Sequence, residues 1–554
     1  MKIWLKILLG ALALVLIGGF LAKDYVLLHL AGWLGPHVYP NHAVAWQKGP
    51  DKPRVPADKR PPNIVLIVAD DLGYNDISFN DGGVAGGLLR TPNIDAIGHD
   101  GVSFPDGYAG NATCAPSRAA LMTGRYPTRF GFEFTPTDTR FARTIAGFPS
   151  DWEHKTILDE DAAEHDPPPD DKGVPSSELT IAELLRTKGY HTVHLGKWHL
   201  GGAKGMRPEQ QGFDESLGFI IGGQMYLPEH DPNAENSKQD FDPIDKYIWA
   251  NLPFSVQYNG GANFRPARYM TDYLTDQAID TIRANRNRPF FLYLAYNAPH
   301  TPLQALKADY DALPRIADHR TRVYAAMIRA LDRGVGRVMA ELKAQGLDEN
   351  TLVIFTSDNG GAHYIGLPDI NRPYRGWKAT FFEGGMKVPF FMRWPARIRP
   401  ETRVSGPVSH FDIFATAGKA AGVPMPGDRA IDGVDLMPFV AGKQAGAPHQ
   451  ILFWRSGGYK VVRDGDWKLQ VLGRIPGIPP RPPLLYDLKT DPTERHDVAA
   501  SQPAIVAQLS DLLARHDAES VKPSWPSLIQ SPIAIDRPLG TKPRGNETYI
   551  YWWN

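Results

Sequence analysis

Residues 63–69 read Asn-Ile-Val-Leu-Ile-Val-Ala and are followed at once by Asp70 and Asp71. A continuous apolar run of this length, rich in β-branched residues, is typical of a parallel strand that is buried on both faces. Further strands are predicted at residues 190–195, 290–296 and 351–356. We therefore expect several buried strands, each ending in polar residues.

Helical patterns separate these strands. Residues 180–183 read Thr-Ile-Ala-Glu, a capping box that predicts a helix extending to Lys188. Apolar residues between Val323 and Leu342 recur at helical spacing and predict a long amphipathic helix. The alternation predicts an α/β fold with a large, mostly parallel or mixed sheet flanked by helices.

The pattern changes after about residue 440. Short segments between residues 451 and 488 are separated by turns such as Gly457-Gly458 and Asp464-Gly465, which predicts a small antiparallel sheet. A helix is expected over 504–516, and the Pro-rich end from residue 522 is expected to be irregular. We predict a catalytic domain at 62–440 and a small C-terminal α+β domain with an irregular tail at 441–554.

The first 24 residues have the character of a membrane segment. Residues 7–22 carry no charge, and with residues 3–5 they approach the roughly 20 residues that a helix needs to span a bilayer. Lys2 and Lys6 before the run predict that the remainder is exported to the periplasmic or extracellular side. No A-x-A-like site closes the run, so we predict an uncleaved anchor at 1–24 and a linker at 25–61; a cleaved signal peptide, giving a secreted protein, is the alternative.

Composition excludes some classes of function. The 554 residues contain 60 Lys plus Arg and 61 Asp plus Glu, a net charge of −1, so no basic field is available for nucleic acid. The single cysteine cannot form an intrachain disulfide, a zinc cage or a C-x-x-C pair. It is an inert core thiol, a reactive thiol, or a residue that is chemically converted.

Polar residues follow each predicted strand, where α/β proteins bind ligands. Adjacent carboxylates repel each other unless a proton or a cation relieves them. An Asp-Asp pair can instead be a turn or a helix cap, but a second polar pair after another strand favours a metal. Oxygen ligands alone select Ca²⁺ or Mg²⁺. The polar residues that follow the predicted strands are Asp70, Asp71, Lys197, His199, His300, Asp358 and Asn359. Of these, Asp70, Asp71, Asp358 and Asn359 are the candidate oxygen ligands.

Cys114 lies at the start of a predicted helix. Pro116 suits the first turn of a helix that continues to about Thr123. The N-terminus of a helix is positively polarised and lowers the pKa of a thiol, so position alone suggests a nucleophilic cysteine.

The motif Cys114-x-Pro116-x-Arg118, followed by Leu-Met-Thr-Gly-Arg at 121–125, resembles the signature of the type I sulfatases. This family has an alkaline-phosphatase-like fold. The resemblance extends over about residues 62–498, and the opening stretch through Asp76 is most similar to the arylsulfatase B-like branch. Further matching motifs are Asp-Asp-Leu-Gly at 70–73, Gly-Lys-Trp-His-Leu-Gly at 196–201, Ser-Asp-Asn-Gly at 357–360, Gly-Trp-Lys at 376–378 and Glu-Gly-Gly at 383–385.

The resemblance implies a role for each matching residue. A maturation enzyme would oxidise Cys114 to formylglycine, whose hydrated form attacks sulfur with one hydroxyl and expels sulfate with the other. An ordinary serine in place of the formylglycine could also attack sulfur, but it would be left as a stable sulfate ester. His199 would assist the second hydroxyl, His300 would protonate the leaving group, Arg118 would orient the formylglycine, and Lys197 and Lys378 would contact sulfate oxygens. The ion, Ca²⁺ or Mg²⁺, would be held by Asp70, Asp71, the modified Cys114, Asp358 and Asn359.

We predict from this resemblance a sulfatase that hydrolyses aryl or carbohydrate sulfate monoesters. One alternative is a phosphonate or phosphate monoester hydrolase of the same superfamily. Another is a catalytically silent, membrane-anchored binding protein, against which the intact cysteine motif and the charge cluster argue. His194, His363 and His410 are assigned to the core or the pocket lining.

Overall fold

The computed structural model describes residues 32–56, 59–148, 154–543 and 547–554, together with residues 4, 8, 25, 26 and 28–30. The predicted anchor at 1–24 therefore lies outside the described residues, apart from residues 4 and 8. Among the residues that are described, no helix combines the length and the apolar character that crossing a membrane requires.

Strands and helices alternate through the first 440 residues. The strands are β1 Asn63–Ala69, β2 Val102–Ser103, β3 Gly107–Tyr108, β4 Ile157–Leu158, β5 His191–Lys197, β6 Glu215–Phe219, β7 Ala234–Ser237, β8 Gln257–Tyr258, β9 Phe290–Ala295, β10 Leu303–Leu306, β11 Thr351–Ser357, β12 Phe390–Arg393, β13 Thr402–Arg403, β14 Val408–Ser409, β15 Ile451–Ser456, β16 Tyr459–Asp464, β17 Trp467–Val471, β18 Leu484–Asp487, β19 Ile529–Ala534 and β20 Tyr549–Trp553. The α-helices are α1 Val84–Gly87, α2 Pro92–His99, α3 Cys114–Thr123, α4 Thr139–Gly147, α5 Glu160–Glu164, α6 Ile181–Arg186, α7 Pro243–Asn251, α8 Met270–Asn285, α9 Lys307–Asp311, α10 His319–Ala344, α11 Glu383–Met386, α12 Phe411–Ala420, α13 Met437–Val440 and α14 Pro503–Glu519.

A large mixed sheet forms the centre of the fold. Its strand order within the described chain is β13-β2-β12-β11-β1-β9-β5-β6-β8. The five strands from β11 to β6 are parallel, while β12 and β8 flank them in antiparallel orientation. The predicted α/β fold is thus confirmed, and the four apolar runs are adjacent central strands.

The register of these strands aligns their carboxyl ends. Ala69 pairs with Ser357 across β1 and β11, and Val68 pairs with Ala295 across β1 and β9. Gly196 pairs with Ala295 across β5 and β9. The residues that follow each strand therefore meet at one edge, which we call the carboxyl edge of the sheet.

The predicted helices form where the sequence places them. Helix α6 begins with the expected capping box, in which the Thr180 side chain accepts from the Glu183 backbone and the Glu183 side chain accepts from the Thr180 backbone. Helix α10 buries the apolar stripe from Val323 to Leu342. The helix signals of the sequence are therefore confirmed at these two places.

The four strands β15–β18 form the expected small antiparallel sheet. On one face Val462 and Leu469 pack with Leu509 and Leu513 of α14. Its fully buried Lys468 binds the carboxylates of Glu383 in α11 and Glu494, at 2.8 and 2.9 Å. The small sheet is therefore tied to the segment that follows Lys378, and the domain boundary at 440 stays a prediction.

The prediction of an irregular tail after residue 522 is wrong. Strands β19 and β20 pair with each other and with β4 in a separate three-stranded sheet. Trp553 is buried against a glycine pair, and a Cβ atom added at Gly457 would lie 2.6 Å from its ring. The run Tyr-Ile-Tyr-Trp-Trp at 549–553 has strong β propensity, but the many prolines of this segment obscured that signal in the sequence.

Candidate active site

Three carboxylates occupy the carboxyl edge at the ends of β1 and β11. Asp71 adopts a left-handed backbone with φ 61°. Its N–H donates to Oδ1 of Asp358 at 3.1 Å, and the N–H of Leu72 donates to Oγ of Ser357 at 2.9 Å. These bonds fix the turn after β1 against the turn after β11, so the three acids Asp70, Asp71 and Asp358 are held together.

Each carboxylate has a buried cationic partner. Lys197 Nζ lies 2.9 and 2.8 Å from the two carboxylate oxygens of Asp70. Arg118 donates to Asp358 Oδ2 from Nε at 2.9 Å and approaches it with NH2 at 2.8 Å. Lys378 Nζ donates to Asp71 Oδ2 at 2.8 Å. The described cluster thus pairs three acidic side chains with three basic ones.

These pairings set the protonation states. Burial alone would raise the pKa of Asp71, but Lys378, His300 and Lys197 outweigh it and hold the pKa below its ordinary value. Burial would also lower the pKa of Lys378, yet Asp71 keeps it well above the usual range. At Asp70 burial prevails over Lys197, and the pKa is raised. The cluster therefore leaves Asp70 in need of a further cation to ionise fully.

Cys114 is the first residue of α3 and faces these acids. Its Sγ lies 3.7 Å from Asp71 Oδ1, and Arg118 lies one turn further along the helix. The expectation of a lowered thiol pKa is wrong: burial raises the pKa of Cys114 to about 12, and Lys197 and Lys378 offset only part of the effect. An unmodified thiol would stay protonated here and would be a poor nucleophile.

The donor set of the cluster fits a hard cation. Asn359 Nδ2 donates to Asp71 Oδ1 at 2.7 Å, while its buried Oδ1 has no hydrogen-bond partner among the described residues. Ligand atoms of Asp70, Asp71, Cys114 and His300 lie within 4.8 Å of one another. A buried acceptor without a donor, next to an incompletely compensated carboxylate, is what a cation bound by oxygen ligands would complete.

Two predicted histidines border the cluster. His300 Nδ1 lies 2.6 Å from the Thr301 carbonyl oxygen, so Nδ1 carries a proton, and Nε2 lies 3.7 Å from Asp71 Oδ2. Burial, together with Lys378, lowers the pKa of His300 to about 3. His199 is buried with a left-handed φ of 61°, and a Cβ added at Gly222 would lie 3.0 Å from its Nε2. Both rings are therefore neutral at physiological pH.

Two tyrosines of the site have no counterpart in the sequence analysis. Tyr364 donates to Asp71 Oδ2 at 3.0 Å, and Lys378 donates to the same hydroxyl at 3.1 Å. Tyr293, inside β9, accepts from Arg118 at 3.1 Å. A tyrosine in a buried strand or a short turn is ordinary in sequence, so no local pattern distinguishes these two.

A pH-dependent stability is expected from the histidine beneath the site. His194 packs among the rings of Trp198, Phe213 and Tyr293, and burial lowers its pKa to about 3 from an ordinary 6.5. Between these two pKa values the unfolded chain binds a proton at His194 that the folded chain does not. The contribution of His194 to the free energy of unfolding is therefore fully retained above pH 6.5 and falls as the pH is lowered toward 3. In His194→Phe the free energy of unfolding should therefore fall less steeply with decreasing pH, by up to about 1.4 kcal/mol per pH unit.

Thermal melting from pH 7 to pH 4 measures the effect. Replacement of the exposed His165 by asparagine serves as the control, because its ring is in water in both states. Equal acid sensitivity of His194→Phe and the parent protein would contradict the assignment.

Fold and site together define the class of protein. A buried cluster of paired acids and bases at the carboxyl edge of a parallel sheet, with a donor set that fits a hard cation, is typical of a hydrolase of anionic esters. The sequence profile of the family described as Sulfatase matches residues 62–423. The chain belongs to the type I sulfatase family and is a sulfuric ester hydrolase that acts on sulfate monoesters.

Similar curated proteins extend over most of the chain. N-acetylgalactosamine-6-sulfatase of Canis lupus familiaris is 34% identical over 422 residues, which are 74% of this chain and 71% of the relative. Steryl-sulfatase of Mus musculus is 31% identical over 522 residues, 79% of this chain and 78% of the relative. The arylsulfatase B-like branch assignment stays a prediction.

Solved structures share the architecture. The crystal structure of Ps i-CgsB superposes with a TM-score of 0.68 and 33% identity, covering 84% of this chain and 95% of that one. The phosphonate monoester hydrolase of Agrobacterium radiobacter gives a TM-score of 0.55 at 20% identity, over 83% and 96% of the two chains, and this likeness shows the fold alone.

Proposed function

We propose that this sulfatase works with a formylglycine formed from Cys114 and with one divalent cation, Ca²⁺ in the first instance and Mg²⁺ as the alternative. The carrying observation is the position of Cys114, the first residue of α3, with its Sγ 3.7 Å from Asp71 within the buried charge cluster. The high thiol pKa supports conversion, since the cysteine itself would be inert there. Maturation requires a formylglycine-generating enzyme as a partner.

The cation would be held by Asp70, Asp71, Asp358 and Asn359, together with the modified Cys114. All four offer oxygen ligands, the preference of Ca²⁺ and Mg²⁺. When bound, the ion supplies Lewis acidity and charge compensation at a sulfate oxygen. With Asp70, Asp71 and Asp358 all ionised, the three acids balance Arg118, Lys197 and Lys378, so the loaded site would carry the net positive charge of the ion and favour an anionic ester.

The formylglycine diol supplies the nucleophile and the means of releasing sulfate. Arg118 positions it, because Asp358 and Tyr293 hold the guanidinium rigidly one turn along the helix. His199, whose buried Nδ1 has no hydrogen-bond partner within the described part of the chain, is the base we assign to the second hydroxyl.

The remaining residues bind and protonate the ester. The ammonium groups of Lys197 and Lys378 contact Asp70 and Asp71, and they would also contact sulfate oxygens of the bound ester. His300 keeps a proton on Nδ1 through the Thr301 carbonyl, which leaves Nε2 to pass a proton to the leaving oxygen. Its low pKa makes His300 a strong acid once protonated, and a sulfate ester nearby would raise that pKa toward the working range.

The relatives favour carbohydrate sulfates as substrates, with aryl sulfates as convenient probes. One similar protein is by name an N-acetylgalactosamine-6-sulfatase, and Ps i-CgsB was also solved in complex with k-i-k-neocarrahexaose. A panel of sulfated mono- and oligosaccharides, steroids and aryl esters tests this choice.

The reaction class is tested by steady-state rates on 4-nitrophenyl sulfate and on the matched phosphate and phosphonate esters. We expect the sulfate to be hydrolysed with the highest kcat/KM. A phosphorus ester that is faster by orders of magnitude would overturn the assignment of the natural ester and favour the phosphonate or phosphate monoester hydrolase.

Removal of the cation should stop turnover. Dialysis against a chelator is expected to lower kcat by about 10³-fold or more, because the ion compensates charge in the transition state. Adding back Ca²⁺ or Mg²⁺ separately, with the metal content measured by mass spectrometry, identifies the ion. Full activity of a protein shown to be metal-free would refute a metal-dependent mechanism.

We also propose the division and location expected from the sequence: an anchor at 1–24, a linker at 25–61, a catalytic domain at 62–440 and a small domain at 441–554, on the exported face of a membrane. The uncharged run at 7–22 supports the anchor. N-terminal sequencing of protein from the membrane fraction tests it, and a mature start after Ala22 would show cleavage and secretion.

A further inference from the structure

The segment between the predicted anchor and the first strand follows a definite path. Near its end, Trp46 Nε1 donates to Gln277 at 2.9 Å and the Gly49 N–H donates to Ala284 at 2.8 Å, both on α8. Helix α8 ends four residues before β9 begins, so Ala284 lies at the amino edge of the sheet, opposite the active site. Residues 46–49 thus run along α8 toward that edge, where β1 starts.

The earlier part of the segment lies at the opposite, carboxyl edge. Asn251, the last residue of α7, donates to the Leu28 carbonyl at 2.8 Å and accepts from the Gly32 N–H at 2.6 Å. Leu252, the residue directly after α7, is close to the active site, because a Cβ added at Gly223 would lie 3.5 Å from Leu252 and 3.6 Å from the His300 ring. Leu28 and Gly32 are therefore a few side chains away from His300.

Exposed apolar side chains gather on this side of the molecule. Trp33 and Leu34 are 59% and 72% exposed, and Tyr25 is 60% exposed. Ile221, beside the Gly222 that contacts His199, is 47% exposed. Ile221 thus marks where the active site reaches the surface, and we call this point the entrance. Tyr25, Val26, Trp33 and Leu34 are four of the eleven large apolar residues that are exposed in the described chain. They lie within ten residues of one another, and the rings of Tyr25 and Trp33 are 6.3 Å apart, so they form a local cluster rather than the single scattered residues of an ordinary surface.

We propose that the carboxyl edge of the sheet, with the entrance to the active site, faces the lipid bilayer, and that the enzyme acts on sulfate esters held at the membrane surface. The uncharged run at 7–22 ends at Lys23-Asp24, directly before Tyr25, so the chain leaves the predicted anchor beside the entrance. Tryptophan and tyrosine favour the interfacial layer of a bilayer, which is the chemistry that Trp33 and Tyr25 offer. The proposal rests on the proposed anchor but not on the details of the reaction.

Site-specific labelling of the full chain tests the orientation. In a Cys114→Ala background the protein has no other thiol, so an environment-sensitive fluorophore can be placed at Ile221→Cys on the entrance or at Lys188→Cys, exposed before β5 at the amino edge. In phosphatidylethanolamine–phosphatidylglycerol vesicles with nitroxide-labelled headgroups, we expect quenching of the label at 221 to exceed that at 188 at least threefold. Equal quenching, or stronger quenching at 188, would overturn the proposal.

A second variant does not depend on labelling. In the otherwise unaltered chain, Trp33→Ser combined with Leu34→Ser should lower hydrolysis of a sulfated amphiphile in the same vesicles at least fivefold, while turnover of soluble 4-nitrophenyl sulfate stays within twofold. Unchanged vesicle hydrolysis, or an equal fall on both substrates, would count against a membrane-facing entrance. A chain that hydrolyses the soluble ester but does not associate with vesicles would refute the orientation and the anchor while leaving the sulfatase function intact. Self-association through Trp33 and Leu34 without vesicle binding would also overturn the proposal, because it would assign this surface to a second copy of the chain.

Discussion

Cys114→Ala is expected to abolish hydrolysis of 4-nitrophenyl sulfate, with a fall in kcat of about 10⁵-fold, the size seen when a catalytic nucleophile is removed. Cys114 is buried, and the hydrogen bond of its Sγ among the described residues is a weak one, 3.7 Å to Asp71. The substitution should therefore cost only about 1 kcal/mol of stability, and the thermal melting curve should barely move.

Mass spectrometry on the Cys114 peptide examines the same claim without a mutation. Conversion of the thiol to the aldehyde lowers the peptide mass by about 18 Da, and protein made without a maturation enzyme should lack this change and the activity. Turnover by a fully unconverted protein would show that the formylglycine assignment is wrong.

Cys114→Ser is the informative control. A serine can accept the sulfuryl group but has no second hydroxyl with which to expel sulfate. The enzyme should then stop after one turnover with about 80 Da added to the residue. A serine variant that turns over repeatedly would contradict the need for a diol, whereas alanine at 114 should gain no mass.

Asp71→Asn is expected to lower kcat by about 10³-fold or more and to weaken divalent-ion binding. Asp71 accepts from Lys378, Tyr364 and Asn359 and faces Cys114, so it is the residue that the elements of the site share. Asparagine keeps the shape but removes one charge, which leaves Lys378 without its buried counterion. The loss should be partly recovered at high Ca²⁺, as measured by kinetics and by titration calorimetry.

Asp76→Asn provides a matched control five residues away. Asp76 is equally buried, but it accepts hydrogen bonds from Tyr324 and Gly73, and burial raises its pKa to about 8. It is therefore mostly protonated at neutral pH, and the amide should preserve activity within about threefold. If both substitutions cost the same, the effect of Asp71→Asn would be structural and its assignment to the ion and to Lys378 would fail.

Much of the fold could be read from local patterns. The run at 63–69 is a buried strand because its apolar character admits no solvent face, and the capping box at Thr180 forms because its two partners are three residues apart. The C-terminal strands were missed because the prolines of the tail obscured the β propensity of residues 549–553, and because the burial of Trp553 depends on the distant Gly457 and Gly458. No composition window contains both ends of such a contact.

The candidate site divides in the same way. Asp70, Asp71, Cys114, Asp358 and Asn359 could be named in advance, since each lies in a short motif directly after a strand or at a helix start. Tyr364 could not, because only the folded turn brings its hydroxyl to Asp71 and Lys378. The thiol pKa was predicted in the wrong direction, because the helix start acts locally whereas burial depends on the whole surrounding structure.

The sequence by itself determined the α/β alternation, the cysteine motif and the polar residues after the strands, because hydrophobic patterning and capping act over a few neighbouring residues. Only the tertiary structure decided which cation pairs with which acid, and that the Asn359 oxygen beside them has no partner among the described residues. It also decided that Leu28 and Gly32, soon after the predicted anchor, lie at the active-site edge. These features join residues tens to hundreds of positions apart, and their energies depend on distance and burial, which exist only once the strands are in register.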